Sequence, residues 1–295
     1  MTMDAMPEHE WKLARRTLVI GERTLVMGVL NVTPDSFSDG GQFFNTEDAL
    51  RRAEKMIEEG ADILDIGGES TRPGASIVET EEEMRRIVPV IERLVKIIKI
   101  PVSIDTTKRA VARAALDAGA EIINDISGLR FDPNLADIAA EKNAGLVLMH
   151  SRGTIETMHS LAPVADILSE VKGSLGESLA LALQRGVRRE QIAIDPGIGF
   201  SKSFEQNLEL IARLDELVRE FARYPMLVGT SRKSFVGRIL DDAPVSERIY
   251  GTMATVAAAV LGGANIVRVH DVRAARDTVR VSDAISRAAY MNGRV

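Results

Sequence analysis

Short apolar runs alternate with longer amphipathic stretches along most of the chain. Eight runs have the length of strands, at 24–31, 62–66, 102–105, 121–125, 146–150, 192–195, 226–229 and 265–270. They are apolar almost throughout rather than alternating, which is typical of parallel strands buried on both faces. Between or after them, the period of an amphipathic helix predicts helices at 46–59, 80–98, 107–118, 162–184, 204–221, 247–261 and 274–291.

Eight consecutive strand and helix units predict an α/β fold, a TIM (β/α)8 barrel, with an open doubly wound sheet as the alternative. Residues 17–20, followed by Gly21 and Glu22, are expected to form a short β-hairpin with the first barrel strand and to close the barrel floor. We predict a single barrel domain at 17–295 after an N-terminal extension at 1–16, in which His9 and Trp11 are peripheral.

Composition narrows the class of protein. The chain has 295 residues, 45% of them hydrophobic, a net charge of −6 and no Cys. This length fits one barrel of about 250 residues, and the apolar content excludes disorder. The absence of Cys excludes disulfides, thiolate metal sites and a cysteine nucleophile, while the acidic balance argues against nucleic-acid binding.

Two segments bear on location and assembly. The N-terminus lacks the apolar core of a signal peptide. The uncharged stretch 251–266 is too short and too rich in small residues to cross a bilayer. We therefore predict no membrane association, and we expect this stretch to pack against the barrel or against a second subunit.

Polar residues follow the predicted strands at their carboxyl ends, where barrels of this kind build active sites. One group carries carboxylates or amides that suit a flat, nitrogen-rich ring: Asp105, Asn124 and Asp195. A second group carries cations that suit an anion such as a pyrophosphate: Arg72, Lys233, Arg268 and His270. The sequence leaves the roles of two further residues open. Asp125 either stabilises a turn or contacts the ligand, and His150 either supports another residue by a hydrogen bond or contacts the ligand.

Two long segments, MGVLNVTPDSFSDGG at 27–41 and DIGGESTRPG at 65–74, resemble the signature segments of the dihydropteroate synthase family. Shorter matches follow in order, namely SIDT at 103–106, INDI at 123–126, LMH at 148–150, DPGIGF at 195–200, GTSRKSF at 229–235 and RVHD at 268–271. The resemblance runs from about residue 17 to about residue 290.

The resemblance implies a cytoplasmic, homodimeric TIM-barrel enzyme of folate biosynthesis that sulfonamides inhibit. Such an enzyme joins 7,8-dihydropterin-6-ylmethyl diphosphate to 4-aminobenzoate, giving 7,8-dihydropteroate and pyrophosphate with the help of Mg²⁺. Two alternatives share the barrel: a pterin-binding methyltransferase-type barrel and a non-catalytic pterin-binding paralogue. Retention of cations and of Asn31 at the strand ends argues against the second alternative.

The resemblance also implies roles for individual residues. The pterin ring would be bound by Asp105, Asn124, Met149, Asp195, Phe200, Lys233 and Arg268. The diphosphate would be bound by Asn31, Thr71, Arg268 and His270, with Asn31 also the magnesium ligand. The aminobenzoate would contact Phe37, Pro73 and Ser234. Catalytic roles fall to Asp39, Arg72 and Lys233, with Asp39 and Arg72 expected to pair over the diphosphate.

Overall fold

The computed structural model describes residues 9–33, 46–70, 78–158 and 160–291. Within these ranges, ten strands form a small hairpin and a barrel. The strands are β1 (His9–Lys12), β2 (Thr17–Ile20), β3 (Leu25–Asn31), β4 (Ile63–Gly67), β5 (Val102–Asp105), β6 (Ile122–Asp125), β7 (Gly145–Met149), β8 (Ile192–Asp195), β9 (Leu227–Val228) and β10 (Ile266–Val269).

The eight strands β3 to β10 make one parallel sheet that closes on itself. Neighbours follow chain order from β3 to β8, and β10 pairs with both β3 and β9. The sheet closes where Ile194 of β8 forms a parallel bridge with Met226 and donates its amide to the Pro225 carbonyl oxygen at 2.9 Å. The predicted TIM barrel is therefore confirmed, and the open doubly wound sheet is wrong.

The β-hairpin lies at the amino-terminal end of the barrel, as predicted, but its pairing differs. Strand β2 pairs with β1 rather than with β3, because both edges of β3 are already bonded to β4 and β10. Trp11, expected to be peripheral, is fully buried, and its indole Nε1 donates to the Gln191 carbonyl oxygen at 2.8 Å. It packs with apolar side chains from the amino-terminal halves of the barrel strands, including Met27 and Ile63. Strand β1 lies in the predicted N-terminal extension and β2 in the predicted barrel domain. The domain boundary after residue 16 stays a prediction.

Ten α-helices occupy the described ranges. They are α1 (Thr46–Glu59), α2 (Thr80–Ile97), α3 (Arg109–Asp117), α4 (Leu135–Lys142), α5 (Ile167–Gln184), α6 (Phe204–Ala212), α7 (Leu214–Glu220), α8 (Ser234–Ile239), α9 (Ile249–Leu261) and α10 (Val272–Met291). Helices α4 and α8 were not predicted, because with eight and six residues they are too short to show a clear amphipathic period.

Two predicted helices differ from those in the structure. The single helix expected at 204–221 is interrupted at Arg213, whose backbone leaves the helical conformation and separates α6 from α7. The helix expected from residue 162 begins at Ile167, because the Asp166 side chain accepts the Ser169 amide and caps the start of α5.

The uncharged stretch forms α9 and leads into β10, and α9 packs against α10 and against the barrel. Small side chains on its buried face, such as Thr252 and Ala259, allow that close approach. Among the described helices, none is long and apolar enough to span a bilayer.

Candidate active site at the carboxyl ends of the barrel strands

A cavity of about 490 Å³ opens at the carboxyl ends of the barrel strands. Ten residues that the sequence analysis singled out line it: Asn31, Asp105, Asn124, Met149, Asp195, Phe200, Lys233, Ser234, Arg268 and His270. They come from the six strands β3, β5, β6, β7, β8 and β10 and from the segments that follow β8, β9 and β10. The barrel therefore gathers into one space residues that are far apart in the sequence.

Five further predicted site residues lie outside the described ranges: Phe37, Asp39, Thr71, Arg72 and Pro73. Their roles in binding and catalysis, including the pairing of Asp39 with Arg72, stay predictions.

Two carboxylates and one guanidinium, from β4, β5 and β10, form a largely buried ion-paired cluster. Arg268 on β10 donates from Nε to Asp65 at 2.6 Å and from Nη2 to Asp105 at 2.6 Å. The same Asp65 oxygen accepts the Asn124 amide at 2.9 Å. No role was predicted for Asp65. It is fully buried, and a charge within the otherwise apolar strand β4 was the available signal.

Burial changes the protonation of the two carboxylates that face the cavity. It raises the pKa of Asp105, against the positive charge of Arg268, and the nearby Asp65 carboxylate raises the same pKa further. Burial also raises the pKa of Asp195 to about 6, although the Gly197 amide donates to this carboxylate at 2.7 Å. Both groups therefore titrate closer to neutral pH than an exposed aspartate does.

Lys233 immediately precedes α8 and extends over an aromatic ring. Its Nζ lies 3.9 Å from the centre of the Phe200 ring, within the range of a cation–π interaction. Gly199 makes this possible, because a Cβ at that position would lie 2.7 Å from Lys233 Cδ. Burial and the like charge of Arg268 lower the pKa of Lys233 to about 8.

The loops after β9 and β10 are tied together beside the cavity. Ser231 Oγ accepts the His270 amide at 3.1 Å and lies 3.0 Å from His270 Nδ1. Arg232 donates twice to Asp271, at 2.9 and 2.6 Å. These contacts hold His270 at the cavity wall, at the end of β10 and next to β3, the strand that carries Asn31.

In the structure, Asp125 and His150, whose roles the sequence leaves open, bond to neighbouring protein groups and do not line the cavity. Asp125 is fully buried and accepts the Ser127 and Leu129 amides at 2.8 and 2.6 Å, so it stabilises the turn after β6. His150 is 1% exposed, does not line the cavity, and lies 2.8 Å from the Lys202 ammonium.

We predict that Gly197→Ala destabilises the fold by about 1–3 kcal/mol. Gly197 has a φ of +68°, and a Cβ there would collide with the His150 carbonyl oxygen. Gly173→Ala, in the middle of α5, is the matched control. A Cβ there meets nothing within 4 Å, so a gain of about 0.5–1 kcal/mol is expected. Urea unfolding of both variants measures the difference, and equal stability would contradict the collision.

Comparison with known proteins first defines the class. A family model described as "Pterin binding enzyme" matches residues 27–270. A dihydropteroate synthase of Synechocystis sp. is 50% identical over 267 residues, covering 90% of this chain and 92% of that protein.

Two solved structures agree with this match. One is Xanthomonas albilineans dihydropteroate synthase with 4-aminobenzoic acid, at a TM-score of 0.86 and 43% identity, covering 94% of this chain and 98% of that one. The other is Burkholderia cenocepacia dihydropteroate synthase complexed with 7,8-dihydropteroate, at a TM-score of 0.85 and 42% identity, covering 96% and 98%. The chain thus belongs to the dihydropteroate synthase family.

Proposed function

We propose that this barrel condenses 7,8-dihydropterin-6-ylmethyl diphosphate with 4-aminobenzoate to give 7,8-dihydropteroate and pyrophosphate. The observation that carries the proposal is the division of one cavity into two chemistries. The carboxylates of Asp105 and Asp195 and the amide of Asn124 line the cavity from β5, β8 and β6. Asn31 and His270 line it from the ends of the adjacent strands β3 and β10. The first set suits a nitrogen-rich ring and the second an anionic leaving group.

The residues proposed to bind the pterin ring contact it at different edges and faces. The carboxylates of Asp105 and Asp195 accept hydrogen bonds from ring N–H and amino groups, while Lys233 donates to ring oxygen and nitrogen. Met149 packs beside the ring, and the guanidinium of Arg268 offers a flat face for stacking. The ring is held in one orientation, with its methylene carbon toward the diphosphate side.

The reaction follows from this placement. The bond between the methylene carbon and the diphosphate oxygen breaks with its electron pair on the oxygen, and positive charge spreads into the pterin. Ionised Asp105 and Asp195 stabilise that charge. The aromatic amine of 4-aminobenzoate then forms the new carbon–nitrogen bond and loses a proton, so no protein nucleophile is needed.

The leaving group has its own set of residues. Arg268 and His270 supply positive charge or N–H donors toward the diphosphate. Asn31 fits the predicted Mg²⁺, because it lines the cavity and carries an amide oxygen, and Mg²⁺ commonly takes one or two protein oxygens together with substrate phosphate oxygens. When bound, the ion supplies charge that stabilises the departing pyrophosphate.

The 4-aminobenzoate is proposed to bind at the outer edge of the cavity. Ser234, the first residue of α8, is exposed there, and Lys233 lies beside it. Sulfonamides share the aminophenyl group and are expected to compete at the same position.

One coupled assay tests the function. Purified protein is supplied with the pterin diphosphate and Mg²⁺, with and without 4-aminobenzoate, and pyrophosphate and dihydropteroate are measured. Equal release of both products, dependent on 4-aminobenzoate, is expected. Ring binding without release would instead identify a non-catalytic pterin-binding protein, and release without 4-aminobenzoate a hydrolase.

We also propose a cytoplasmic homodimer that uses the outer faces of α9 and α10. Leu261 on α9 and Val281 and Ile285 on α10 are 52%, 61% and 54% exposed, and these helices pack against each other. Exposed apolar side chains on neighbouring elements are typical of an interface.

Double substitution of Val281 and Ile285 by glutamate is expected to convert the dimer to a monomer, because paired charges would be buried without partners. Sedimentation velocity measures the change. Ile97→Glu, at an equally exposed position at the end of α2, is the control and should leave the dimer intact. A wild-type chain that sediments as a monomer at micromolar concentration would contradict the proposal.

A further inference from the structure

Lys202 follows the loop that leaves β8 and bonds to two separate segments. Its Nζ donates to the Gly197 carbonyl oxygen at 2.8 Å and to the Phe200 carbonyl oxygen at 2.9 Å. It also lies 2.8 Å from His150 Nδ1, just beyond the end of β7. A longer contact to the His150 carbonyl oxygen, at 3.4 Å, completes the set of acceptors. Together they join the loop at 196–200 to the end of the neighbouring strand.

Backbone hydrogen bonding and burial fix the position of His150 in this contact. The His150 amide donates to the Asp195 carbonyl oxygen at 2.9 Å, so the ends of β7 and β8 are already adjacent. Nδ1 presents a lone pair to the ammonium only when the imidazole is neutral. Burial, together with the positive charge of Lys202, lowers the pKa of His150 to about 2. The ring therefore remains an acceptor throughout the physiological pH range.

The loop that Lys202 holds forms one wall of the candidate active site. Asp195 accepts the Gly197 amide at 2.7 Å, and the Phe200 ring lies beneath the Lys233 ammonium at 3.9 Å. A shift of the carbonyl groups of Gly197 and Phe200 would therefore move a proposed ring-binding carboxylate and the aromatic support of Lys233 together.

We propose that Lys202 is a positioning residue for the reaction, which holds the loop at 196–200 against the end of β7 and so keeps Asp195 and Phe200 in their ring-binding places. The proposal rests on the proposed function of this cavity. Lys202 does not itself line the cavity. It acts on the pterin through the backbone of the loop and through its charge.

The charge of Lys202 should make ligand binding depend on pH, an effect that a purely structural role would not produce. Charged and titratable groups facing Lys202 are His150, Arg152, Glu170, Asp195 and Lys233, and those facing Asp195 are Lys202, Lys233 and Arg268. Burial raises the pKa of Asp195 to about 6, and the Lys202 cation opposes that rise. Burial lowers the pKa of Lys202 to about 7, so it is charged at pH 6. Removing this charge should therefore protonate Asp195 at a higher pH.

The test compares Lys202→Met with Lys202→Arg and with the wild type, by titration calorimetry with 7,8-dihydropteroate at pH 6 and pH 8 and by steady-state kinetics. Lys202→Met is expected to weaken binding about 10- to 100-fold, with the greater loss at pH 6. Lys202→Arg keeps the charge and should restore most of the binding at pH 6. Lys172→Met is the control, since Lys172 pairs with Glu220 at the surface of α5.

Each outcome decides the proposal. Unchanged binding in Lys202→Met at both pH values overturns it, and so does a loss that is equal at both pH values and not restored by arginine. Thermal unfolding checks the fold of each variant. Lys202→Gln, which keeps two N–H donors without charge, takes its place if Lys202→Met does not fold, and should show the same pH-dependent loss. A wild-type protein that fails to bind dihydropteroate would count against the proposed function instead.

Discussion

Arg268→Met is expected to lower kcat/KM for the pterin diphosphate by about 1,000-fold and the free energy of unfolding by about 3 kcal/mol. The guanidinium donates to Asp65 and to Asp105, at 2.6 Å in each case. Methionine keeps an unbranched side chain but leaves the fully buried Asp65 and the largely buried Asp105 without the guanidinium that donates to both. Steady-state kinetics and urea unfolding measure the two effects.

The control for this variant is Arg113→Met. Arg113 also forms two bonds to a carboxylate, Glu141, at 2.8 and 2.6 Å, but this pair lies at the surface. The loss of stability should stay within about 1 kcal/mol, with unchanged kinetics. Equal behaviour of the two arginine variants would show that the buried cluster has no special role.

The stability lost in Arg268→Met should also depend on pH. Burial raises the pKa of Asp105 in the folded state, and removal of Arg268 raises it further. A carboxyl group with a raised folded-state pKa costs stability above its unfolded pKa of about 4, and protonation at lower pH removes that cost. The deficit should therefore be larger at pH 8 than at pH 5, and a deficit independent of pH would contradict this electrostatic explanation.

Asp105→Asn is expected to lower kcat/KM for the pterin diphosphate by about 100- to 10,000-fold while the fold is retained. The substitution preserves shape but places an N–H group where the carboxylate is proposed to accept from the ring, and each hydrogen bond to a charged group contributes about 1.5–3 kcal/mol. Affinity for dihydropteroate should fall in parallel with kcat/KM.

Asp65→Asn provides the matched comparison for Asp105→Asn. Asp65 belongs to the same cluster and is fully buried, but it reaches the ring only through Arg268 and Asn124. A loss of about 10-fold is expected, as for other residues that orient a binding group. A loss as large as that of Asp105→Asn would refute the assignment of Asp105 as the direct ring contact.

Periodicity predicted most of the barrel because it reports burial along a single segment. Strands β5 and β8 were predicted at the residues observed, and α1 likewise. The errors fall where pairing or context decides. Strand β2 was expected to pair with the first barrel strand, β3, but it pairs with β1 because the closed barrel leaves β3 no free edge.

In the candidate site, too, local sequence patterns predicted some residues, and contacts between distant segments determined others. Strand-end positions drew attention to Asp105 and Asp195, and both line the cavity. Asp65 and Lys202 were missed. The acidic residue within the apolar strand β4 marks Asp65 as unusual, but nothing along either segment shows what these side chains contact. Their partners Arg268 and His150 lie far from them in the sequence.

By itself, the sequence determined the order of strands and helices and the polar residues at the carboxyl ends of the strands, since both depend on neighbours a few residues apart. Only the tertiary structure decided that Asp65 and Asp105 share one arginine and that His150 supports Lys202. The physical reason is that these contacts join different strands, so their distances depend on how the barrel closes and on the stagger between its strands.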